Sequence, residues 1–501
     1  MSSKTRNTEY GPISEKLLRA DLSELCVNKH GVQTGPFGSQ LHKKDYVEDG
    51  TPIITVEHLG DNRITHENTP FVSDDDKKRL SKYHLQEGDI VFSRVGSVDR
   101  RALVRKTEEG WLFSGRCLRV RVNKEKINPI YLSYFFGLES FKNYIRSIAV
   151  GATMPSLNTK MLSGVQIYYP ESLVVQKRIA HYLHTLDEKI QLNHQINQTL
   201  EQMAQAIFKS WFVDFEPVKA KMAALEAGGS EDDALLAAMQ AIAGNALFAS
   251  NAADADAATQ LARLQAEHPE QYATLRATAE LFPAAMQDSE LGEIPEGWEC
   301  LPLDEIAHYQ NGLALQKYRP ENEDDFLPVL KIAQLRAGYA DGKEKASPNI
   351  RKDCIVDNGD VIFSWSGSLI VDIWCGGKAA LNQHLFKVTS GKYPKWLYYY
   401  FTRHHLEEFQ RIAAAKAVTM GHIKREHLKQ ALCAIPRKEL IEQVGKTLSH
   451  ILDQTIALRL EAQSLAELRD ALLPKLLSGE LAVSAATDQI TKAEEAMNVQ
   501  S

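Results

Sequence analysis

The densest run of basic side chains in the sequence lies between residues 94 and 121. It holds eight Lys or Arg residues against three Asp or Glu residues. Lys and Arg bind phosphate oxygens, and Arg also binds the guanine edge through two hydrogen bonds, so this run predicts contact with nucleic acid. The net charge of the whole chain is −7, but phosphate binding follows the local field rather than the total charge. The alternative is a strand surface whose charges are only solvated.

One acidic segment accounts for that negative total. Residues 222–295 hold two basic and twelve acidic residues, which leaves the rest of the chain with a small positive excess. The segment is rich in Ala and is interrupted at Gly228-Gly229 and Gly244-Asn245. We expect short helices and a linker here, forming a partner-facing or solvated excursion that duplex phosphate would repel.

Motifs for catalysis are missing from the sequence. It has no phosphate-binding G-x-x-x-x-G-K-[ST] loop, no dinucleotide-binding G-x-G-x-x-G and no Pro-Asp pair of the kind that begins many nuclease sites. Residues 128–131 (NPIY) are similar to the Asn-Pro-Pro-aromatic loop of adenine methyltransferases. Their counterpart at 393–396 (YPKW) keeps only the proline and the aromatic residue, which favours a helix start in both places. The sequence therefore predicts a protein that is not itself an enzyme.

Metal-ligating patterns are equally weak. The six Cys residues are scattered without any C-x-x-C spacing, which argues against a zinc module and against a disulfide framework. His181, His184 and His194 share one predicted helix but have no obvious third ligand nearby, so solvated or packed imidazoles are favoured over a metal site. No apolar run approaches the roughly 20 residues of a membrane helix, and the first ten residues are polar. We expect a cytoplasmic protein without bound metal.

The sequence contains an internal repeat, so the elements that position the candidate side chains occur twice. Residues 88–97 read GDIVFSRVGS, and residues 359–368 read GDVIFSWSGS. Further matches precede and follow this pair in the same order, from Pro52 with Pro328 to Leu186 with Leu452. The sequence therefore predicts a tandem pair of similar domains.

Each repeat begins with short strands that one helix interrupts, which predicts an α+β fold. In the first repeat the strands are expected at 52–59, 89–93, 118–122 and 165–169, with a helix at 130–146. In the second they are expected at 328–335, 360–365, 384–389 and 430–435, with a helix at 395–414.

A long amphipathic helix ends each repeat. Apolar residues recur every three or four positions from 172 to 212 and again from 438 to 477. At 1.5 Å per residue each helix would be on the order of 55–60 Å long. A stripe of that length exceeds what a small domain can bury, so the two helices are expected to bury each other as a coiled coil. The alternative is that each packs against its own local core.

Two similar domains joined by a rigid helical rod would set the distance and phase between two DNA half-sites. The repeats have diverged: the segment that matches the basic run carries Trp365 and Trp374 and few cations, and its Lys and Arg residues come later in the repeat. The two half-sites are therefore expected to differ, which makes the target asymmetric.

The chain resembles the specificity subunit of type I restriction-modification systems over essentially its whole length. The resemblance rests on the duplicated strand-loop above and on residues 35–41 (GPFGSQL), 207–217 (IFKSWFVDFEP), 291–298 (LGEIPEGW) and 473–481 (LPKLLSGEL). The second repeat has NGLA at 311–314 in place of the PFGS opening.

This resemblance implies two target-recognition domains separated by an antiparallel pair of conserved helices. The expected boundaries are a first recognition domain at 1–170, the first long helix at 171–215, an insert and linker at 216–297, a second recognition domain at 298–436, the second long helix at 437–480 and a disordered tail at 481–501.

The resemblance also implies the partners. Two modification subunits would methylate adenine with S-adenosylmethionine, and two restriction subunits would add ATP- and Mg-dependent translocation and cleavage, as in phage defence. The chain itself would bind double-stranded DNA and no cofactor. The alternative function is an assembly scaffold for a methyltransferase complex that never touches DNA.

Candidate residues follow from these expectations. Those expected to contact DNA are Lys43, Lys44, Arg63, Arg94, Ser97, Arg100, Arg101, Arg105, Arg116, Trp365, Ser368, Lys378, Lys416, Lys424 and Arg425. Those expected on the partner-binding faces of the helices are Gln176, His184, Asn193, Phe208, Trp211, Phe212, Leu473 and Leu477.

Overall fold

The structure is a computed structural model that describes residues 4–28, 30–244, 257–322, 324–415 and 421–481. The predicted site residue Lys416 and residues 482–501 of the predicted tail lie outside the described residues. The chain forms two compact units, the first comprising residues 1–191 and 462–501 and the second comprising residues 192–461.

The first unit contains short strands and mostly short helices. Its strands are β1 (Thr5–Thr8), β2 (Gly11–Ser14), β3 (Leu18–Asp21), β4 (Val32–Thr34), β5 (Tyr46–Val47), β6 (Thr51–Ile54), β7 (Asp61–Asn62), β8 (Phe71–Val72), β9 (Ile90–Ser93), β10 (Arg101–Leu103), β11 (Leu112–Phe113), β12 (Cys117–Val120) and β13 (Gln166–Tyr169). Its helices are α1 (Leu22–Leu25), α2 (Asp74–Arg79), α3 (Pro129–Phe135), α4 (Glu139–Ile148), α5 (Thr159–Ser163) and the first half of α6 (Leu173–Phe212).

Two sheets form the centre of the first unit. One has the strand order β4-β12-β9-β10-β7 and the other the order β11-β6-β8-β5. The central strand β9 is buried along its whole length and pairs antiparallel with both of its neighbours, so that Phe92 lies opposite Leu118 on one side and Arg101 on the other. A strand covered on both faces reads as a continuous apolar run, which is why IVF is uninterrupted here.

The second unit repeats this plan after a helical insert. Its helices and strands are α7 (Glu216–Glu226), α8 (Glu231–Ala243), α9 (Ala257–Glu267), α10 (Pro269–Glu280), β14 (Met286–Ser289), β15 (Gly292–Pro295), β16 (Glu299–Pro302), α11 (Leu303–Ile306), β17 (His308–Asn311), β18 (Leu327–Leu330), α12 (Ile332–Ala337), β19 (Lys345–Ala346), β20 (Ile355–Val356), β21 (Val361–Ser364), β22 (Val371–Ile373), β23 (Ala379–Leu381), β24 (Leu385–Thr389), α13 (Lys395–His404), α14 (Leu406–Ala415), α15 (Arg425–Gln430), β25 (Leu432–Ile435) and α16 (Lys438–Leu477).

The sheets of the second unit follow the plan of the first, with four strands instead of five in the sheet that contains the central strand. Its strand orders are β17-β24-β21-β22 and β19-β18-β23-β20, and β16 pairs with β25 as β3 pairs with β13. The central strand β21 corresponds to β9 and is likewise fully buried. The α+β class and the tandem duplication predicted from the sequence are confirmed.

A hairpin precedes each repeat and extends the duplication beyond the sequence matches. Thr8 Oγ1 donates to the Gly11 carbonyl at 2.7 Å in the β1–β2 hairpin, and Ser289 Oγ donates to the Gly292 carbonyl at 2.7 Å in the β14–β15 hairpin. Both glycines have a left-handed φ, 97° and 96°, which glycine adopts without strain. Residues 286–295, which the sequence placed in the linker, therefore belong to the second repeat.

The described residues of the acidic insert form helices α7 to α10 within the second unit. Val218, Met239 and Leu261 from these helices, and Phe282 just after α10, are buried in the same apolar cluster as the second repeat. The described helices of the insert are therefore part of the core of the second unit rather than a solvated excursion, and a partner-facing role for the insert stays a prediction.

Two helices of 40 residues, α6 and α16, each contribute to both units. Arg469 contacts Asp187 in the first unit, and Asn193 contacts Glu461 in the second. Residue numbers thus rise along one helix as they fall along the other, so the pair is antiparallel. Apolar residues bury the seam, among them Leu183 with Leu465 in the first unit. The predicted antiparallel coiled coil is confirmed.

Four predicted elements differ in the structure. The helix expected at 395–414 is two helices, α13 and α14, and the strand expected at 52–59 ends at Ile54. The helix expected at 130–146 is two helices, α3 and α4, separated at Gly137. A Cβ at Gly137 would lie 2.1 Å from Nη2 of Arg101, so the chain makes room there for a buried guanidinium. The strand expected at 328–335 ends at Leu330, and α12 follows it. No helix in the described part of the chain is both long and apolar enough to cross a membrane.

Candidate DNA interface

Four loops meet where the central strand β9 ends in the first unit. We call residues 35–41, 94–97, 114–116 and 150–157 the first loop cluster. Backbone hydrogen bonds join them: Leu157 N–H donates to the Arg94 carbonyl at 2.9 Å, Arg94 N–H to the Arg116 carbonyl at 2.8 Å, and Gly96 N–H to the Pro155 carbonyl at 2.9 Å. The loop that follows β9 is therefore bonded to two of the other three loops at one end of the sheet.

The second unit has the same arrangement at the end of β21. We call residues 311–315, 365–368, 382–384 and 421–424 the second loop cluster. Ile423 N–H donates to the Trp365 carbonyl at 3.0 Å, Trp365 N–H to the His384 carbonyl at 3.3 Å, and Gly367 N–H to the Gly421 carbonyl at 2.8 Å. These bonds place Trp365 where the first repeat has Arg94, and His384 where it has Arg116.

A glycine fixes the first loop of each cluster. Gly35 N–H donates to the Cys117 carbonyl at 3.2 Å, and Gly312 N–H donates to the Leu385 carbonyl at 3.1 Å. A Cβ at Gly35 would lie 2.2 Å from the Ser114 carbonyl oxygen, and one at Gly312 would lie 2.3 Å from the Asn382 carbonyl oxygen. Only glycine permits this close approach of two backbones. The two openings are therefore structurally equivalent although their sequences differ.

Cationic and apolar side chains cover the first loop cluster. Arg94 donates to the Gly115 carbonyl at 3.2 Å, and its guanidinium lies 5.8 Å from the centre of the Phe37 ring. Arg116 is exposed, and its guanidinium has no hydrogen-bond or ion-pair partner among the described residues. Phe37, Val150 and Met154 are 61%, 67% and 56% exposed. Exposed apolar groups beside cations suit a surface that meets both base edges and phosphates.

Aromatic and imidazole rings cover the second loop cluster instead. Trp365 Nε1–H donates to the Gln383 carbonyl at 3.1 Å, and its ring centre lies 5.8 Å from that of His384. His384 Nδ1 is in turn 2.8 Å from Ser366 Oγ. Ser368 and Lys424 are exposed at the rim of this cluster. Its chemistry is therefore hydrogen bonding and stacking rather than paired guanidinium charge.

Arg425 contacts a residue on which Trp365 of the second cluster packs. It donates to the Tyr309 carbonyl at 3.0 Å, and its guanidinium lies 5.6 Å from the centre of the Phe386 ring. Trp365 packs on that same ring, with 6.0 Å between the ring centres.

Several predicted DNA-binding arginines lie elsewhere in the first unit. Arg63 and Arg105 each donate to Glu188 on α6 at 2.8 Å. Arg100 donates to the Leu59 carbonyl. Arg101 is 4% exposed and donates to the Ser133 carbonyl at 2.7 Å. Burial lowers the pKa of Arg101.

The prediction that Arg101 contacts DNA is wrong, because its guanidinium is enclosed by the protein. Arg63, Arg100 and Arg105 each donate hydrogen bonds to other groups of the chain.

The remaining predicted lysines are also dispersed. Lys43 and Lys44 lie in a helical turn, Lys43–Asp45, directly after the first loop cluster, and Lys44 is exposed. Lys378 is exposed but lies at the opposite end of β21 from Trp365, since the neighbouring Gly377 N–H donates to Asn358 Oδ1 at 2.7 Å, ahead of that strand. Lys378 is therefore outside the second loop cluster.

Most of the predicted partner-binding residues are part of the chain's own core. Six of them are buried, namely Gln176, Asn193, Phe208, Trp211, Phe212 and Leu477. Gln176 accepts from Asn128 N–H at 2.8 Å and donates to the Pro170 carbonyl at 2.8 Å, so it ties α3 to the start of α6. Buried side chains offer no docking face, which corrects this part of the prediction.

Other residues on the two long helices are at least partly exposed and available to a partner. His184 and Leu473 are half-buried among the predicted residues. Leu192, Ile196 and Met203 are 53%, 38% and 39% exposed on α6 in the second unit. They recur at intervals of four and seven residues, so they share one face of the helix. This apolar face was missed because periodicity alone assigned Ile196 and Met203 to the buried stripe.

The site also includes residues that were not among the candidates. Phe37, Met154 and His384 lie in the loop clusters. The signal that would have found them is the repeat itself, because each lies in a loop beside a matched strand or motif. In the described residues, no group of three or more His, Cys, Asp or Glu side chains is placed to hold a metal ion.

Comparison with known proteins identifies the class that this fold and site define. The model of the type I restriction modification DNA specificity domain matches twice, at residues 36–202 and 295–470. The chain therefore belongs to the type I restriction-modification DNA specificity family, whose role is recognition of a DNA target rather than catalysis. Both matched segments include one recognition fold and most of one long helix.

Individual relatives agree with this family. The chain is 28% identical over 427 residues to the type I restriction enzyme HindI specificity subunit of Haemophilus influenzae, covering 80% of this chain and 88% of the relative. It is 24% identical over 452 residues to the MjaIX specificity subunit of Methanocaldococcus jannaschii, covering 88% and 89%. The crystal structure of a type I S subunit from M. genitalium shares the fold, with a TM-score of 0.50 at 12% identity over 95% of this chain and 99% of that one.

Proposed function

We propose that this chain recognises an asymmetric bipartite DNA target, with one half-site read by each loop cluster. The observation that supports this is that two clusters share one backbone scaffold but carry different side chains, Arg94 and Arg116 in one and Trp365 and His384 in the other. A shared scaffold presents each cluster to a duplex in the same manner, and different side chains select different bases.

The first cluster is suited to guanine and phosphate. Arg116 is exposed and lacks a partner among the described residues, so its five donors are available to a guanine edge or to phosphate oxygens. Phe37 and Met154 offer apolar surface of the kind that contacts a thymine methyl group.

The second cluster is suited to reading by hydrogen bonds and stacking. Ser368 and Lys424 are exposed at its rim and offer a hydroxyl and an ammonium group, while Trp365 and His384 present rings. The two half-sites therefore differ in composition.

Catalysis belongs to partner subunits in this proposal. Two modification subunits bind S-adenosylmethionine and methylate adenine in each half-site, and two restriction subunits supply ATP- and Mg-dependent translocation and cleavage. The exposed apolar face of Leu192, Ile196 and Met203 on α6 is a docking surface for a modification subunit, since such a stripe on a helix suits packing against a partner helix. The assembly acts in the cytoplasm, where its DNA substrate lies.

The test is a domain exchange in the assembled complex. Residues 30–165 are replaced by the corresponding segment of a specificity subunit with a different target, and methylated adenines are mapped across a genome. We expect one half-site to change and the other to stay the same. A change in both half-sites, or in neither, would contradict the assignment of one half-site to each cluster.

A salt titration separates this function from that of a scaffold that never touches DNA. Binding through phosphates weakens steeply with salt, with a slope of log K on log salt of about −0.9 per phosphate neutralised. We expect a complex containing Arg94→Gln and Arg116→Gln to show a smaller slope than the unmodified complex. An identical slope would favour the scaffold.

A further inference from the structure

The side chains of the first recognition domain reach both long helices at one partly buried point. Asp187 on α6 accepts a hydrogen bond from Tyr134 on α3 at 2.5 Å and another from Arg469 on α16 at 2.8 Å. Arg469 also lies 3.9 Å from Asp61 of the recognition domain. A single chain of contacts therefore runs from the domain to α6, on to α16 and back to the domain.

The next residue of α6 makes a second connection to the same domain. Glu188 accepts from Arg63 and from Arg105, each at 2.8 Å. Burial raises the pKa of Glu188, but the hydrogen bond from Arg105 and the charges of both arginines outweigh it and hold the pKa below its usual value. Two arginines that looked like DNA contacts in the sequence thus attach the domain to its helix.

Partial burial strengthens the contacts around Asp187. Its side chain is 13% exposed and that of Arg469 is 20% exposed. Burial lowers the pKa of Arg469, but the hydrogen bonds and charges of Asp187 and Asp470 together outweigh burial and raise the pKa overall. Charge-assisted hydrogen bonds in such surroundings are stronger than neutral ones in water and hold a narrow range of angles.

A cavity and non-directional apolar contacts surround these bonds. A cavity of about 530 Å³ lies beside them, lined by Asp61, Arg101, Tyr134, Asp187 and Arg469 among others. Apolar residues also join the domain to the helices, but apolar contact is non-directional. Hydrogen bonds and ion pairs beside a cavity therefore carry the directional part of the attachment.

The second unit has the same device with different residues. Arg403 of its domain donates to Glu201 on α6, and Arg459 on α16 donates to Asp372 of the domain at 2.8 Å. In both units a glutamate of α6 pairs with arginine from the domain, and an arginine of α16 pairs with aspartate from the domain. The polarity is the same, although the positions in the repeat differ.

We propose that these contacts form an orientation clamp that fixes the angle of each recognition domain on the helix pair, and thereby the spacer length that the protein accepts between half-sites. The clamp residues of the first unit are Tyr134, Asp187, Arg469, Arg63, Arg105, Glu188 and Asp61. They are positioning residues and make no contact with a base. The inference rests on the proposed function of reading a bipartite target.

The physical link is the geometry of the duplex. One base pair added to the spacer moves a half-site by about 3.4 Å and turns it by about 35° around the helix axis. A domain held at one angle cannot follow that turn. A domain released from its clamp swings on its apolar contacts and follows the turn at a smaller cost.

The test uses the full chain assembled with its modification subunits and measures methylation of duplexes with the natural spacer and with one base pair more or fewer. The variant is Tyr134→Phe combined with Glu188→Gln, which removes one hydroxyl and one charge but leaves both loop clusters unchanged. The matched control is Arg121→Gln, which breaks the pair of hydrogen bonds from Arg121 to the buried Asp89 inside the same domain and touches neither helix.

We expect the preference for the natural spacer to fall by about tenfold in the double variant, since two to three directional contacts are lost. The control lowers methylation of all three duplexes by the same factor, because it weakens the domain without freeing its angle. An unchanged preference in the double variant would overturn the clamp.

Two further measurements keep the outcomes separate. If the unfolding midpoint shows that the double variant does not fold, Arg403→Gln tests the equivalent contact in the second unit, with the same expected loss of spacer preference. If the unmodified complex shows no bipartite target or no spacer preference, the proposed function fails. If it shows both and the clamp variants retain them, only the clamp fails.

Discussion

Arg94 and Trp365 occupy the same backbone position in the two repeats, and each side chain donates a hydrogen bond to the carbonyl of the same neighbouring loop position. The acceptors are Gly115 at 3.2 Å and Gln383 at 3.1 Å. A guanidinium and an indole thus perform one structural role while presenting different chemistry to the outside. This is how a duplicated scaffold diverges in what it reads without changing how it is built.

Arg116 is the first residue to test at the DNA interface. We expect Arg116→Gln to weaken binding of the assembled complex to its target by about 1–3 kcal/mol, because an exposed cation without a protein partner is lost. The measurement is a DNA-binding titration at fixed salt. Lys378→Gln is the control. It also removes one positive charge, but Lys378 lies outside both loop clusters. Equal losses in the two variants would show that only total charge matters.

Gly312 tests the equivalence of the two loop openings. We expect Gly312→Ala to impair recognition of the second half-site alone, because its Cβ would lie 2.3 Å from the Asn382 carbonyl oxygen and the loop would have to move. Mapping of methylated adenines reports each half-site separately. Gly391→Ala is the control, since nothing lies within 4 Å of a Cβ there. Loss of the first half-site in Gly312→Ala would contradict this assignment.

The burial of His405 makes the stability of the protein depend on pH. It is 8% exposed, and its Nε2 is 3.1 Å from the Leu432 carbonyl oxygen. Burial, with a smaller effect from His404, lowers its pKa to about 4. Between that value and the unfolded pKa of about 6.5 the unfolded chain binds the proton and the native chain does not, so stability falls as the pH drops through this window.

The size of that effect follows from the same linkage. Going from pH 7.5 to pH 5, the His405 contribution to the unfolding free energy decreases by about 2 kcal/mol. We expect His405→Gln to lose that much less than the unmodified chain over the same change, since an amide does not titrate. Urea denaturation at the two pH values gives both numbers. Parallel losses in the two proteins would rule out His405 as the source.

Asn197 lowers the stability of the helix pair in the second unit. It is 7% exposed, and neither atom of its amide has a hydrogen-bond partner within the described part of the chain. We expect Asn197→Leu to raise the free energy of unfolding by about 1–2 kcal/mol, because a buried unsatisfied amide is replaced by an apolar side chain of similar size. Asn193→Leu is the control and should give no gain, since Asn193 donates to Glu461 at 2.8 Å. A gain for Asn193→Leu that matched Asn197→Leu would contradict the argument.

The sequence by itself determined the duplication, the α+β texture and the long helices. Each depends on local periodicity or on a repeated motif, such as GDIVFS at 88–93 and GDVIFS at 359–364. Both kinds of signal can be read from the sequence alone. The central strands β9 and β21 lie where that motif predicts them. The antiparallel pairing of the helices came from the family resemblance, and contacts such as that of Arg469 with Asp187 confirm it.

Only the tertiary structure decided which arginines are available. Arg63, Arg101, Arg105 and Arg116 are of one residue type and were all expected to contact DNA. The first three are directed at a helix or enclosed, and of these four only Arg116 is exposed in a loop cluster. The difference comes from Glu188, Asp61 and Ser133, which are distant along the chain. Whether a charge faces DNA depends on the partners that folding brings within about 3 Å of it, and no local pattern records those partners.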